Sequence, residues 1–410
     1  MAERIRIEAL GARGDGVGPG PTFVPYTLPG ETALVERDGA RARLVAVEDP
    51  SPSRIEPFCP YFFQCGGCVT QHIASDTYAA WKHGLVVDTL RRAGIEAEVA
   101  PLVDAHGDGR RRLTFHARQT PEGMAVGFMA LRTHDLVSIT HCPIATPALL
   151  PSPALALAVA RRLARSKKPL DIGVTATDGG LDMDVRGHGP ANPSLRQSLV
   201  AAANELDLAR LSIHGDIVVE RRPPTVPMGR ATLVLPPGGF LQATRLGEET
   251  LAGLVVEACS GAKRVADLFA GCGPFALRLA ERAEVLAVEQ DKPALQALDR
   301  AARSTPGLRR VMIEPRDLFR RPLLPLELDR FDAVVMDPPR AGAEAQARQL
   351  AASKVPVVAS VSCDAGTFAR DAGILIAGGY RLERVTPVDQ FRHSPHVELV
   401  GLFRRPKSRR

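Results

Sequence analysis

The sequence lacks an uninterrupted apolar stretch of about 18 residues, and this excludes a membrane-spanning helix. Its first twenty residues alternate charged and apolar side chains without an apolar core, which predicts that no secretory signal peptide is present. Aromatic residues are scarce, with a single tryptophan and four tyrosines, and there is no internal repeat or low-complexity tract. We therefore expect a cytoplasmic protein that does not contact membranes and, by default, a monomer.

The residues that are present suit a soluble enzyme that binds a polyanion. The 410 residues are 45% hydrophobic and 24% charged, enough for two or three domains with a substantial core. The net charge is +6. Basic residues cluster at Arg110–Arg112, Arg161–Arg162, Lys167–Lys168, Arg221–Arg222 and the tail from Arg404 to Arg410. Each cluster taken alone is typical of a solvated face, but several together favour nucleic acid as a partner.

Seven cysteines without an export signal predict a reducing compartment, where thiols act as ligands or nucleophiles rather than in disulfides. Cys59, Cys65 and Cys68 form the pattern Cys-x5-Cys-Gly-Gly-Cys, and Cys142 follows in His-Cys-Pro-Ile. Three clustered thiols and a distant fourth can hold zinc or an iron–sulfur cluster. Spacing alone slightly favours zinc.

The pattern of apolar segments and turns predicts three domains. Residues 1–57 read as a small β-barrel of short strands, residues 58–230 as a central α+β domain with the cysteine cluster, and residues 231–410 as an α/β domain. A helix within 76–95 is expected to pack on the last domain. The predicted strands of that domain are Val265–Phe269, Val285–Glu289, Val311–Ile313, Ala333–Asp337, Val357–Ser362, Arg381–Val385 and Glu398–Phe403. Helices separate the first six, and the last two form a hairpin with an antiparallel edge strand. This is the seven-stranded, Rossmann-like sheet of class I S-adenosylmethionine (SAM) methyltransferases.

Cys363 lies where the buried strand that ends at Ser362 meets a helix predicted over Ala365–Ala377. Open α/β sheets place their chemistry at the carboxyl ends of strands. The positive end of the helix dipole is expected to lower the pKa of the thiol and so to favour the nucleophilic thiolate. The alternative is a small buried hydrophobic residue, the commonest role of a single cysteine.

Residues Asp267–Ala276 form a glycine-rich turn after the first strand of this domain. Gly271 and Gly273 allow the backbone to approach a ligand closely, and Glu289 ends the next strand, where it can hold ribose hydroxyls. Both NAD and SAM fit such a turn, and the absence of a third glycine favours SAM.

Two further segments carry carboxylates. Asp337-Pro-Pro-Arg340 ends a strand, and its prolines fix the backbone that presents Asp337. Near the carboxyl terminus, His396 and Glu398 point to the same face of a strand, where Glu398 could act as a general base.

Together these segments resemble the RNA (uracil-5-)-methyltransferase family, most closely its iron–sulfur 23S ribosomal RNA members. The motifs Asp-Leu-Phe-Ala-Gly-Cys-Gly, Asp-Pro-Pro-Arg, Val-Ser-Cys and His-Val-Glu occur in the family's order, and Phe240-Leu-Gln242 matches its glutamine segment. The resemblance implies a TRAM-like barrel and a [4Fe–4S] cluster on Cys59, Cys65, Cys68 and Cys142, which overrides the preference for zinc. It implies SAM contacts at Gln242, Phe269, Glu289, Asp317 and Asp337, with Gly271 and Gly273 in the cofactor loop.

The resemblance also implies the reaction. Cys363 would add to carbon 6 of a uracil, carbon 5 would accept the methyl group of SAM, and Glu398 would remove the carbon-5 proton. Pro274 departs from the family, which commonly has asparagine there, so one SAM contact is lost while the fold is retained. Three alternatives to methylation of 23S ribosomal RNA stay open. The substrate could be transfer RNA, or the chain could be a non-catalytic RNA-binding protein with a degenerate methyltransferase fold. The third alternative is an NAD-dependent oxidoreductase.

Overall fold

The structure, a computed structural model, describes residues 2–20, 22–163 and 169–406. The predicted basic pair at 167–168 and the end of the basic tail, residues 407–410, lie outside the described residues. Within the described ranges, no helix combines the length and the apolar character needed to span a bilayer.

A six-stranded sheet forms the amino-terminal region. Its strands are β1 (Ala2–Arg6), β2 (Ala9–Leu10), β3 (Gly16–Gly18), β4 (Thr22–Val24), β5 (Thr32–Asp38) and β6 (Arg41–Asp49). They lie in the order β1-β5-β6-β4-β3-β2. Since β1 and β2 are consecutive in the chain yet lie at opposite ends of this order, the sheet curls until its ends approach each other. Ile5, Val24 and Val35 belong to a core that this small region forms by itself.

Helix α1 (Ser75–Arg92) and two short strands, β7 (Glu98–Val99) and β8 (Val103–Asp104), follow. The buried residues of α1 are Tyr78, Lys82, Val86 and Leu90. Their spacing of four places them on one face of the helix. Val86 and Leu90 belong to the same apolar core as the last sheet described below, so this face packs on the carboxyl-terminal region.

The central region is a seven-stranded sheet with two helices on one face. Its strands are β9 (Arg112–Thr120), β10 (Gly123–Met129), β11 (Leu136–Ser138), β12 (Leu170–Thr177), β13 (Gly180–Arg186), β14 (Arg210–Ile213) and β15 (Asp216–Glu220), in the order β11-β10-β9-β12-β13-β14-β15. Helices α2 (Ser152–Arg162) and α3 (Pro193–Glu205) pack on it, and a short 3-10 turn spans Pro147–Leu149. The loop of Cys65 is joined to this sheet through the hydrogen bond that Gly66 N donates to Met129 O (2.9 Å).

A hairpin of β16 (Thr225–Met228) and β17 (Ala231–Val234) leads into the last region. Its apolar side chains pack with Leu277, Ala294 and Ala297 of that region. The predicted boundary between residues 230 and 231 falls in the turn of this hairpin.

The carboxyl-terminal region is a sheet flanked by helices. Its strands are β18 (Arg264–Leu268), β19 (Glu284–Glu289), β20 (Val311–Pro315), β21 (Ala333–Met336), β22 (Val357–Ser362), β23 (Arg381–Asp389) and β24 (Glu398–Arg404). Its helices are α4 (Arg245–Ala258), α5 (Ala276–Leu279), α6 (Lys292–Ser304), α7 (Pro325–Leu328), α8 (Glu344–Ala352) and α9 (Ala365–Ala377). All seven predicted strands are present, and the strand order is β20-β19-β18-β21-β22-β24-β23.

Two details of the predicted sheet are corrected by the structure. The sheet has nine strands rather than seven, because β7 and β8 pair in parallel with β23 and extend that edge. The antiparallel strand is also not at the edge: β24 lies between β22 and β23 and is antiparallel to both. Because β24 runs in the opposite direction, its first residue lies at the edge of the sheet where the parallel strands end.

Candidate active site

A cavity of about 580 Å³ opens at the carboxyl ends of β18, β19, β21 and β22. Seven of the predicted catalytic and cofactor residues line it: Gln242, Phe269, Gly271, Glu289, Asp337, Cys363 and Glu398. The structure thus brings together residues that are far apart in sequence. Gly273 and Asp317 are not among the residues that line the cavity.

The register of two strands places the thiol beside the carboxylate. Ser362 of β22 pairs with Leu399 of the antiparallel β24. One step further along this register, Cys363 lies opposite Glu398. The side chain of Cys363 is half-buried and that of Glu398 is buried, so both groups face the cavity from adjoining strands.

The glycine-rich turn is held in place by Glu289. Its Oε2 accepts a hydrogen bond from Gly271 N (3.1 Å), and its Oε1 accepts from Gln290 N (2.7 Å) and Asp291 N (2.9 Å). Phe269 has a positive φ of 61°, a strained conformation for a residue that is not glycine. Its ring lies 5.5 Å from the ring of Phe319, which lines the same cavity and was not identified from the sequence.

Gly273 and Asp317 lie outside the cavity, and each supports a loop whose other residues line it. A Cβ atom on Gly273 would lie 2.4 Å from Leu298 Cδ1, so this glycine lets the turn approach α6 closely. Asp317 Oδ1 accepts a hydrogen bond from Phe319 N (3.0 Å) and thereby orders the loop that carries the Phe319 ring.

Pro274 lies just before the short helix α5, which begins at Ala276 with Phe275 as its N-cap. Leu277 N donates to Gly273 O (3.0 Å), so Pro274 lies inside a single turn that precedes the helix rather than at the first helical position. Proline has no backbone N–H, and its fixed φ is compatible with such a turn. The proline therefore removes a donor without breaking the turn.

Two glutamine side chains connect the two carboxyl groups. Gln242 Nε2 donates to Asp337 Oδ2 (3.2 Å), while Gln390 Nε2 donates to Gln242 Oε1 (2.6 Å) and to Glu398 Oε1 (3.2 Å). Glu398 Oε2 is buried and has no hydrogen-bond partner among the described residues. One oxygen of Glu398 is thus fixed and the other is free for a ligand.

These contacts occur in an enclosed environment that favours neutral carboxyl groups. Burial raises the pKa of Asp337 and of Glu398 well above the ordinary range, and the negative charge of Asp337 raises that of Glu398 further. At least one of the two therefore keeps its proton at pH values where an exposed carboxyl group is ionised.

The expected lowering of the Cys363 pKa is wrong. Burial, followed by the negative charges of Glu398 and Asp337, raises the pKa of the thiol to about 11. Arg340 acts in the opposite direction, but its effect is smaller. The position at the start of α9 is as expected, yet the two carboxyl groups and desolvation outweigh the helix dipole.

The four cysteines of the predicted cluster meet at a second cavity, of about 480 Å³. None of them is in a disulfide. Among the described residues, no group of three or more His, Cys, Asp or Glu side chains is arranged to hold a single metal ion. The predicted metal site is therefore not confirmed. Phe240, Leu241 and Phe391 line both this cavity and that of Cys363, so the two cavities share a wall.

Known proteins resemble this chain over its whole length. It is 48% identical over 403 residues to an uncharacterised RNA methyltransferase of Brucella suis, covering 98% of this chain and 97% of that one. It is 31% identical over 401 residues to the 23S rRNA (uracil(1939)-C(5))-methyltransferase RlmD of Shewanella sediminis, covering 93% and 90%. The model of the tRNA (Uracil-5-)-methyltransferase family matches residues 238–406.

The chain belongs to the RNA (uracil-5-)-methyltransferase family. It is thus a SAM-dependent RNA (uracil-C5) methyltransferase by family. The structure of a Pyrococcus abyssi tRNA (uracil-54, C5)-methyltransferase in complex with S-adenosyl-L-homocysteine aligns with a TM-score of 0.75 over 98% of this chain and 99% of that chain. At 23% sequence identity this likeness shows the methyltransferase fold alone.

Proposed function

We propose that this methyltransferase methylates carbon 5 of a uridine in 23S ribosomal RNA through a covalent adduct between Cys363 and carbon 6. One observation carries the proposal. The thiol of Cys363 and the free oxygen of Glu398 face a single cavity whose other walls hold the residues expected to bind SAM.

SAM, when bound, supplies an electrophilic methyl group and a positive charge. Gln242, Phe269, Glu289 and Asp337 line the cavity and would hold it, Glu289 through the ribose hydroxyls and Asp337 through a polar group. Gln242 already bridges to Asp337, so the two residues act as one fixed wall. A positive charge in this cavity also opposes the effect of the two carboxyl groups on the thiol and so favours the thiolate.

Cys363 begins and ends the reaction. Its thiolate would add to carbon 6 of uracil, and the electrons of the C5–C6 double bond would move into an enolate, so that carbon 5 becomes nucleophilic. Carbon 5 would then take the methyl group, while the electrons of the broken carbon–sulfur bond stay on the donor sulfur, which leaves as a neutral thioether. Glu398 Oε2 then accepts the proton from carbon 5, the double bond re-forms and the thiolate leaves. The raised pKa of Glu398 suits this step, because a base near neutral pH transfers protons efficiently.

The four cysteines are proposed to hold a [4Fe–4S] cluster. The donors around the thiols suit an anionic cluster: Gly67 N donates to Cys65 Sγ (3.4 Å), and the half-buried Arg110 lies close to Cys68 and Cys142. Hydrogen bonds to sulfur are a means by which proteins tune such clusters. The cluster takes no part in the methyl transfer.

The experiment uses transcripts of 23S ribosomal RNA and of transfer RNA with tritiated SAM. We expect tritium in 23S RNA, and a 23S transcript made with 5-fluorouridine should trap a protein–RNA adduct on a denaturing gel because the fluorine cannot leave as a proton would. Cys363→Ala should give neither product nor adduct, since no thiolate attacks, while its affinity for SAM stays within about twofold of wild type.

Cys259→Ala serves as the control, because Cys259 is buried outside the cavity. It should form the adduct as wild type does. Methylation by Cys363→Ala would remove this thiol from the mechanism. Labelling of transfer RNA alone would identify transfer RNA, rather than 23S ribosomal RNA, as the substrate. Labelling of neither RNA would contradict the proposed methyltransferase activity.

A further inference from the structure

A second opening lies on the other side of Cys363, and we call it the strand groove. Its volume is about 490 Å³, and it runs between the loop after β2, one face of α1 and the first turn of α9. Its walls include Leu10, Trp81, Gly84, Leu85, Arg92 and His396. Cys363 lines both the strand groove and the catalytic cavity, so the two spaces meet at its sulfur.

The proposed reaction determines on which side of Cys363 the RNA strand leaves the catalytic cavity. Carbon 6, which the thiolate attacks, is bonded to N1, the ring atom that carries the ribose, whereas carbon 5 faces the methyl donor. The ribose of the target uridine therefore lies on the Cys363 side of the ring, away from SAM. Its phosphates must leave the catalytic cavity on that side, where the strand groove begins.

An unpaired cation marks the point where the two spaces meet. Arg340 lines the catalytic cavity, and its Nη2 lies 3.1 Å from Nε2 of His396 in the strand groove. Burial and the charge of Arg340 lower the pKa of His396 to about 4, so the histidine is neutral and does not compensate the guanidinium. In the described part of the chain, Arg340 forms no ion pair with a carboxylate.

The charges along the groove are mixed. Arg92 is exposed and pairs with no carboxylate of the described residues. Asp88 pairs with Arg91 (2.8 Å), whereas Asp364 Oδ1 accepts a hydrogen bond only from Thr367 N (2.9 Å), a donor without a compensating charge. Arg92 in the groove and Arg340 at the junction are therefore the cations available to a phosphate chain.

The single tryptophan forms part of the wall. Trp81 Nε1 donates to Gly11 O in the amino-terminal sheet (3.1 Å), which fixes the indole ring between that sheet and α1. An aromatic face beside a basic groove is a common platform for ribose and bases of a single strand.

We propose that the strand groove binds the nucleotide next to the target uridine, with Arg340 contacting the phosphate between the two. This rests on the proposed function, because the position of the target ring at Cys363 sets where the strand leaves. The amino-terminal sheet and α1 would thus contribute directly to the RNA path beside the catalytic sulfur.

Gly84 offers a test that leaves the packing intact. It lies on α1 in the strand groove, and a Cβ atom there would meet nothing within 4 Å. Replacing glycine inside a helix also favours the helix. Gly84→Glu should lower kcat/KM for the 23S transcript about fivefold by repelling phosphate, and Gly84→Lys should keep or raise it. Neither should change the affinity for SAM.

Ala80→Glu is the matched control, because it adds the same charge to an exposed position of the same helix outside the groove. It should leave kcat/KM unchanged. Tryptophan emission provides a direct readout, since Trp81 is the only tryptophan in the chain. A twelve-nucleotide oligouridylate should quench this emission in wild type and in Ala80→Glu, and much less at the same concentration in Gly84→Glu.

Equal kcat/KM values for wild type, Gly84→Glu and Gly84→Lys, or emission that the oligouridylate does not alter, would overturn the strand groove while leaving the methyltransferase proposal in place. Failure of the wild type to methylate any RNA would instead contradict the proposed function. The path proposed for the RNA strand would then be contradicted as well, because it depends on the position of the target ring at Cys363.

Discussion

The thiol of Cys363 is not a preformed nucleophile. Its pKa is raised because it lies half-buried beside two carboxyl groups, and the dipole of α9 does not compensate. The thiolate therefore depends on what enters the cavity. A cationic methyl donor would favour it, whereas the cavity without that positive charge keeps the thiol protonated.

Glu398→Gln separates the two halves of the reaction at the level of one residue. An amide cannot take the carbon-5 proton, so the adduct between Cys363 and ordinary uridine RNA should accumulate, and turnover should fall by about 100-fold to 10,000-fold. Denaturing gels detect the adduct and tritium release reports turnover. Glu383→Gln, an exposed carboxyl group paired with Arg404, is the control and should turn over normally. Unchanged turnover in Glu398→Gln would place the base elsewhere.

Glu398 also determines whether the activity rises or falls with pH. Glu398 must be ionised to act as a base, and burial raises its pKa above the ordinary 4.5. Activity of the wild type should therefore increase with pH well above the range in which exposed glutamates titrate, and this limb should be absent from the residual activity of Glu398→Gln.

The sequence predicted three of the polar residues that line the catalytic cavity but not the glutamine that connects them. Cys363, Asp337 and Glu398 carry local signals, since each lies at a strand end within a recognisable segment. Gln390 has none. Its importance arises from an amide contact with Gln242, 148 positions away, and from a second contact with Glu398. Such a contact depends on how β23, β24 and the Gln242 loop pack, which no local pattern encodes.

At the scale of elements, helices with strong end signals were predicted well. Helix α9 spans Ala365–Ala377 as predicted, because Asp364 caps it by accepting a hydrogen bond from Thr367 N and Gly378 follows its last residue. The two-residue strands β7 and β8 were missed, since they are too short for a periodic pattern and form only by pairing with β23. The inner position of β24 is likewise set by tertiary pairing.

Helix α1 anchors the loop that leads to Glu398, the proposed base. Lys82 is fully buried, pairs with Asp389 (2.8 Å) and also donates to the carbonyl oxygens of Phe391 and His396. The Tyr78 hydroxyl donates to the other oxygen of Asp389 (2.7 Å). These bonds fix both ends of the segment between β23 and Glu398.

Lys82→Met should therefore destabilise the protein and reduce its activity. The change leaves the buried carboxylate of Asp389 without its cation, a loss that typically costs about 3–5 kcal/mol. Urea unfolding would measure it, and kcat should fall together with stability because the base loses its fixed position. Arg91→Met removes an equally charged side chain from an exposed pair on the same helix, and little change is expected. A wild-type unfolding midpoint for Lys82→Met would show that the pair does not anchor the loop.

For the molecule as a whole, the sequence predicted the class of fold, the family and the packing of α1 on the carboxyl-terminal region, but not the strands β7 and β8 that extend its sheet. The boundary at 230 falls within a hairpin, and α1, β7 and β8 join the core and the sheet of the carboxyl-terminal region. Domain boundaries predicted from the pattern of apolar segments and turns assume that each region is formed by one continuous segment of the chain. Here the chain crosses between regions more than once.

The cysteine cavity provides a test at this scale. Cys65→Ser should remove the visible absorbance of the proposed cluster and weaken the binding of RNA. It should also lower the melting temperature by about 4–8 °C, the shift that a loss of about 2 kcal/mol in the free energy of unfolding causes in a domain of this size. Absorbance, thermal melting and filter binding measure the three effects. Cys259→Ala, which removes a buried thiol outside both cavities, should keep all three properties of the wild type. Protein that is colourless when purified anaerobically would contradict the cluster.

The pairing of β7 and β8 with β23 has a consequence for how this enzyme can be divided. A fragment that starts at residue 231 would carry every residue that lines the catalytic cavity except Met228. It would nevertheless expose the outer side of β23 as a bare edge, open the core where Val86 and Leu90 now lie, and leave Asp389 without Lys82. The amino-terminal half is therefore part of the scaffold of the catalyst. Gene fusions and fragment screens that treat it as a detachable RNA-binding module would yield insoluble protein.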